Sequence, residues 1–117
     1  MLLVDDDELI QSSIGTILQT MGHTVITTPS GEEALATIEA GIKPDVVILD
    51  MNMPGLGGSG TLPRLRTMLP EVPVLLSTGR ADQATLDLAK AYPFVTLLPK
   101  PFNLKELQQH LSPLGQG

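Results

Sequence analysis

The stretch Asp45-Val46-Val47-Ile48-Leu49-Asp50 constrains the fold more than any other part of the chain. Four consecutive apolar residues, three of them β-branched, run straight into a carboxylate. A run this short and this apolar reads as a strand covered on both faces, as in the parallel sheet of an α/β domain. Ligands of such sheets bind beyond the carboxyl ends of the strands, and Asp50 stands at that end. Taken alone, the residue is more readily a loop aspartate that merely ends the strand. The other strand ends decide between the two readings.

Taken in order, the chain alternates. Leu2-Leu3-Val4 is a short buried strand that ends in Asp5-Asp6-Asp7-Glu8. Apolar residues then recur at helical spacing from Leu9 to Met21, and Gly22 suits the C-cap. Thr24 to Thr28 is the second strand. Ser30 and Glu33 form a capping box ahead of a helix that stops near Gly41. After the third strand, Met51 to Gly60 reads as a glycine-rich loop, followed by a helix through Leu62, Leu65 and Met68 with Pro63 in its first turn. Val74 to Thr78 is the fourth strand. Ala81 to Ala91 is a helix with a thin apolar stripe at Ala84, Leu88 and Ala91, which predicts the weakest packing of the set. Phe94 to Leu98 is the fifth strand, Pro99-Lys100-Pro101 a rigid turn, and Asn103 the cap of a last helix carrying Leu104, Leu107 and Leu111 inward. Five strands alternating with five helices predict a parallel sheet with right-handed crossovers and helices on both faces.

A chain of 117 residues fits one domain. It has no Cys, which excludes a disulfide framework and a thiolate metal site and fits the cytoplasm. No apolar run approaches the roughly 20 residues that a membrane-spanning helix needs. The net charge of −6, scattered basic residues and 3% aromatic content argue against nucleic acid as a direct partner. His23 and His110 lack an acidic or histidine partner nearby in sequence and read as surface residues. The methionines read as gap-filling residues of core and loops.

A parallel sheet brings its carboxyl strand ends to one edge. That edge collects Asp5 and Asp6 from the first strand, Asp50 from the third, Ser77 and Thr78 from the fourth, and Lys100 just past the fifth. Two carboxylates about 5 Å apart at an effective dielectric near 20 oppose each other by roughly 3 kcal/mol, so compensation is needed. Lys100 supplies one positive charge. A donor set of oxygen alone favours Mg²⁺, with Mn²⁺ as the other suitable ion, over zinc. Acids, a metal, an ammonium and a hydroxyl together suit a phosphoryl group. Asp50 is then either a metal ligand or a nucleophile that forms an acyl phosphate.

Leu3-Val4-Asp5-Asp6, Leu49-Asp50-Met51-Asn52-Met53-Pro54, Ser77-Thr78-Gly79 and Leu98-Pro99-Lys100-Pro101-Phe102 resemble, in order and spacing, the motifs of the receiver domain of two-component response regulators. Each motif alone is weak, but together they cover essentially the whole chain. The resemblance implies a flavodoxin-like (βα)5 fold with strand order 2-1-3-4-5, a receiver domain over 1–112 and a flexible tail over 113–117. It implies Asp50 as phospho-acceptor and Asp5, Asp6, Asp50 and the backbone carbonyl of Asn52 as Mg²⁺ ligands. It also implies Thr78 and Lys100 as groups that engage the phosphoryl oxygens. Gly79 would keep the site accessible, and Lys100-Pro101 is similar to the family's cis-proline position. The implied partners are a histidine kinase or histidine phosphotransfer domain and a downstream effector. The face of the fourth helix, fifth strand and fifth helix is implied as the switching surface and a candidate homodimer surface. Such a domain catalyses its own phosphorylation and dephosphorylation without turning over external substrates.

Departures from the pattern matter. The loop after Pro54 reads Gly55-Leu56-Gly57-Gly58 where the family has an acid. Leu97 stands where a Tyr or Phe often signals together with the threonine at Thr78. Gly55 to Gly60 matches GxGxxG, but Met51 to Pro54 intervene and Asp50 would repel a pyrophosphate, so a flexible loop is the plainer reading. A haloacid-dehalogenase-type phosphatase would need an acid at Asn52. A phosphorylation-independent module on the same fold is argued against by intact Asp50, Thr78 and Lys100. The short first strand and the Gly-Gln-Gly end favour, weakly, a piece of a larger protein such as a hybrid histidine kinase over a stand-alone receiver.

Overall fold

In the computed structural model of the chain, the described residues are 1–51, 55, 57–79, 82–100 and 104–111, without the side chains of Leu104, His110 and Leu111. The elements alternate: β1 (Leu2–Val4), α1 (Glu8–Thr20), β2 (Ile26–Thr28), α2 (Gly31–Glu39), β3 (Val47–Asp50), α3 (Gly57–Met68), β4 (Val74–Thr78), α4 (Gln83–Ala91), β5 (Val95–Pro99) and α5 (Leu104–Leu111). The strands form one sheet in the order β2-β1-β3-β4-β5, and every pairing is parallel. This is the expected flavodoxin-like topology.

Strand alternation sends successive side chains to opposite faces, so the continuous apolar runs feed two cores. On one face Leu2, Val4, Val47, Leu49, Val74 and Leu76 pack with α2 and α3, and half-buried Leu88 of α4 and Leu97 of β5 join them. On the other face Leu3, Ile48, Leu75 and Leu98 meet Ile14 and Leu18 of α1 and Leu107 of α5. Each fully buried leucine contributes about 1.5–3 kcal/mol relative to exposure. Side-chain caps open the first two helices. Asp7 is the N-cap of α1 and accepts from Leu9 N at 2.8 Å, and Ser30 Oγ accepts from Glu33 N at 3.1 Å. Gly22 and Gly41 follow their helices with positive φ, the left-handed geometry glycine tolerates.

Several expected boundaries move. The glycine run is not a loop to Gly60, because α3 begins at Gly57. Pro63 is therefore the seventh residue of α3 rather than part of its first turn, and it sits inside the helix. β2 starts at Ile26 and β3 at Val47, later than the apolar runs that feed them. α4 starts at Gln83 because Asp82 caps it, its carboxylate taking Thr85 N at 3.0 Å and Thr85 Oγ1 at 2.9 Å. That cap turns Thr85 inward and leaves Ala84 exposed, so the expected apolar stripe is wrong at its first position. The thin packing expected of α4 holds, with Thr85 its one buried residue. β5 starts at Val95, not Phe94, and Pro99 is its last residue rather than part of a turn. Phe94 has φ 60° and is 57% exposed.

The reason for the Phe94 geometry lies in α3. Arg66 is only 7% exposed, and its Nη1 donates to Leu69 O and Val72 O at 2.8 Å each, while Nη2 donates to Phe94 O at 3.4 Å. Val74 N also donates to Phe94 O at 2.9 Å. Backbone carbonyls thus fix the entry to β4 and β5. Nothing in the spacing of α3 singles out Arg66 for this task.

Gly31, the first residue of α2, touches Thr61 of α3 so closely that a Cβ there would overlap the buried Thr61 side chain. Gly31→Ala is expected to destabilise the domain by about 1–3 kcal/mol through overpacking, measured by urea unfolding. Thr61→Ala in the same chain is expected to recover part of the loss.

Candidate functional site

The carboxyl edge of the sheet assembles the acids. Asp5 follows β1 directly, is 2% exposed, and its Oδ1 accepts from Asp7 N at 2.9 Å. Its own N donates to Thr28 O at 3.1 Å, which extends the pairing to β2 by one residue and fixes where the side chain leaves the sheet. Asp50 is the last residue of β3 and is also 2% exposed. Asp6 is exposed at the rim. Asp5, Asp6 and Asp50 can each present one oxygen such that all three atoms lie within 4.8 Å of one another. Three carboxylates and no His or Cys make a hard, all-oxygen donor set. That set fits a Mg²⁺-sized ion.

Lys100 closes the site. Its backbone N donates to Thr78 O at 2.7 Å, which sets the start of its reach. From there Nζ donates to Asp50 Oδ1 at 3.1 Å and Asp5 Oδ2 at 3.3 Å. Burial alone would lower the Lys100 pKa, but the Asp50 and Asp5 carboxylates outweigh burial and hold it above its ordinary 10.5. One ammonium still faces three carboxylates, so the site keeps a negative balance that favours a further cation.

The remaining predicted residues fall around this centre. Thr78 is the last residue of β4 and is 1% exposed. Gly79 is exposed, and a Cβ there would meet open space. Leu97 is half-buried on the α2/α3 face and pairs in register with Leu76, so it lies on the same side of the sheet as Thr78 by strand alternation. Asp7 and Glu8 belong to the start of α1. His23 is half-buried rather than fully at the surface. Asn52, the Met53-Pro54 pair, Pro101, Phe102, the Asn103 cap and the 113–117 tail lie outside the described residues.

One feature escaped the sequence. Gly58 packs against the end of β3 itself: a Cβ there would come within 2.8 Å of Met51 Cα and 3.1 Å of Asp50 O. Its N donates to Met51 O at 3.2 Å. The glycine run was the available signal, but a glycine required for close approach and a glycine in a slack loop look alike in sequence. Ser77, expected at the same edge, pairs in register with Asp50.

The whole of this arrangement lies within residues 1–112, which match the family described as the response regulator receiver domain. The chain belongs to that receiver-domain family. It is 37% identical over 106 residues to the transcriptional regulatory protein CpxR of Escherichia coli K12, covering 91% of this chain and 44% of CpxR. The chain thus spans less than half the length of that relative. It superposes on the chemotaxis protein CheY4 of Vibrio cholerae with a TM-score of 0.86 and 31% identity, covering 97% of this chain and 95% of CheY4. The receiver domain of the sensor histidine kinase PA1611 from Pseudomonas aeruginosa PAO1 matches with a TM-score of 0.87 and 28% identity, covering 98% of this chain and 96% of that one. That structure is described with a magnesium ion in the active-site cleft. No helix among the described residues of the present chain is long and apolar enough to cross a membrane.

A lysine whose pKa is raised by folding stabilises the fold fully below its ordinary 10.5, and that contribution is lost as pH rises through the raised value. In metal-free protein, Lys100→Met is therefore expected to remove part of the stability at neutral pH and to flatten the alkaline decline. Urea unfolding of both proteins from neutral to strongly alkaline pH measures the difference.

Proposed function

We propose that the chain is a phosphorylation-dependent switch that takes a phosphoryl group onto Asp50 from the phosphohistidine of a histidine kinase or phosphotransfer domain. The observation that carries this reading is Lys100 Nζ lying 3.1 Å from Asp50 and 3.3 Å from Asp5, across the intervening strand β4. An Asp50 oxygen attacks phosphorus as the phosphorus–nitrogen bond breaks, and the electron pair returns to the imidazole. The Lys100 ammonium turns to the new phosphoryl oxygens, and the Thr78 hydroxyl hydrogen-bonds to them. Asp5, Asp6 and Asp50, with the backbone carbonyl of Asn52, would hold Mg²⁺, which would supply positive charge to the phosphoryl oxygens. The magnesium recorded in the PA1611 receiver supports this choice of cation.

The switch acts through β4, α4 and β5. Recruitment of Thr78 draws the β4 end toward the phosphoryl group. α4, with a single buried residue, is the helix most easily repacked. The face of α4, β5 and α5 then changes its affinity for an effector or for a second copy of the chain. Leu97 transmits this by aliphatic packing, since it has no ring to turn inward. The receiver unit spans 1–112 with a tail over 113–117, and it operates in the cytoplasm with its kinase. The matches to the chemotaxis protein CheY4 and to the receiver domain of the sensor histidine kinase PA1611 accommodate both a stand-alone receiver and the receiver part of a larger kinase.

Incubation with Mg²⁺ and acetyl phosphate is expected to add one phosphoryl group by intact mass, and none in Asp50→Asn. Failure of the wild type to gain it, or a gain that survives Asp50→Asn, would overturn the assignment. Asp6→Asn is expected to weaken Mg²⁺ binding about 10-fold or more by titration calorimetry.

A further inference from the structure

We infer that the Ser77 hydroxyl is a positioning group for Asp50 that shortens the life of the phosphoryl group; this rests on the reading of Asp50 as the acceptor. Ser77 is 2% exposed, and its Oγ makes no hydrogen bond among the described residues. A buried hydroxyl without a partner is costly, so its retention calls for an explanation. Its place in the sheet supplies one. Leu75 and Ile48 belong to the α1/α5 face, so Ser77 and Asp50, each two residues further on, face the same side. Ser77 pairs in register with Asp50 on β3 and with Leu98 on β5. Adjacent strands lie about 4.8 Å apart. Of the two lateral neighbours of the hydroxyl, Leu98 has no polar atom and Asp50 has a carboxylate. Lys100, two residues after Leu98, crosses above Ser77 to reach Asp50. Thr78 alternates to the opposite face of β4, so Ser77 is the β4 hydroxyl beneath the Lys100–Asp50 bridge. A turn about χ1 into another staggered position directs Oγ toward β3.

The direction of the effect follows from charge. In hydrolysis, water oxygen bonds to phosphorus while the phosphorus–Oδ bond breaks. The electron pair returns to the Asp50 carboxylate, and the protons of the water pass to the released phosphate and solvent. Negative charge grows on the Asp50 oxygens during this step. A hydrogen bond to a carboxylate is stronger than one to the neutral carbonyl of an acyl phosphate. A Ser77 donor therefore favours the leaving carboxylate over the phosphorylated state.

Ser77→Thr and Ser77→Val fill nearly the same volume and differ in the hydroxyl, so any overpacking is common to both. After phosphorylation with acetyl phosphate and removal of the reagent, loss of the phosphoryl mass is followed in wild type and both variants. Ser77→Val is expected to lengthen the phosphoryl lifetime about threefold to tenfold, and Ser77→Thr to keep it near wild type. In unphosphorylated, metal-free protein, Ser77→Val is also expected to move the carboxyl ¹³C resonance of Asp50 and leave that of Asp6 in place. Equal lifetimes in the Val and Thr variants, or an unmoved Asp50 resonance, overturn the role of Ser77 while leaving Asp50 as acceptor. A wild type that gains no phosphoryl group overturns both.

Discussion

The structure depends on one ammonium placed between two buried carboxylates. Asp5 and Asp50 are each 2% exposed, and neither would sit comfortably there without Lys100. The bridge joins residues 50 and 95 positions apart in the chain, from three different strand ends. It forms only if β1, β3 and β5 end at the same level. The order β2-β1-β3-β4-β5 and the parallel registers arrange that. The same contact is thus evidence of correct assembly. With Asp6 beside it, the edge holds three acids against one ammonium.

The site is built from backbone placement as much as from side chains. Lys100 N is held by Thr78 O, Asp5 N by Thr28 O, and Met51 N by Ser77 O at 2.8 Å. Each of these bonds prolongs strand pairing just past the last strand residue and aims the next side chain at the common edge. Gly58 adds a different kind of constraint. The first turn of α3 rests directly on Asp50 O and Met51 Cα, so the helix is seated on the strand end without an intervening side chain. A rearrangement at Asp50 has little slack to absorb it on that side. The thinly packed side is α4, where Thr85 alone is buried.

Much of this was readable from sequence, for physical reasons. Short apolar runs of branched residues ending in acids or hydroxyls can be satisfied almost only by a doubly covered parallel sheet. The strand order and the meeting of Asp5, Asp6, Asp50 and Lys100 follow once the alternation is recognised. The cap at Ser30 was legible because its chemistry is local. Most of the misplacements were tertiary. Gly57 to Gly60 form a helix because α3 must approach the strand closely, and no local rule separates that from a loop. Pro63 is tolerated deep in α3 although its position suggested the first turn. Phe94 is held with φ 60° by bonds from Arg66 and Val74, residues 28 and 20 positions away. Thr85 rather than Ala84 faces inward because a cap interaction outweighed apolar periodicity.

Arg66 gives the molecule a chemical polarity along its strands. At the carboxyl edge, charge is held by three carboxylates and the Lys100 ammonium. At the opposite edge, where β4 and β5 begin, the guanidinium of Arg66 grips three peptide carbonyls, and these do not titrate. Arginine also keeps its proton across the range in which proteins work. That end is therefore indifferent to the ionic events at the other. The two strands that carry Ser77, Thr78, Leu97 and the approach to Lys100 are clamped at one end by neutral acceptors and meet a cluster of charge at the other, like reeds fixed at the root.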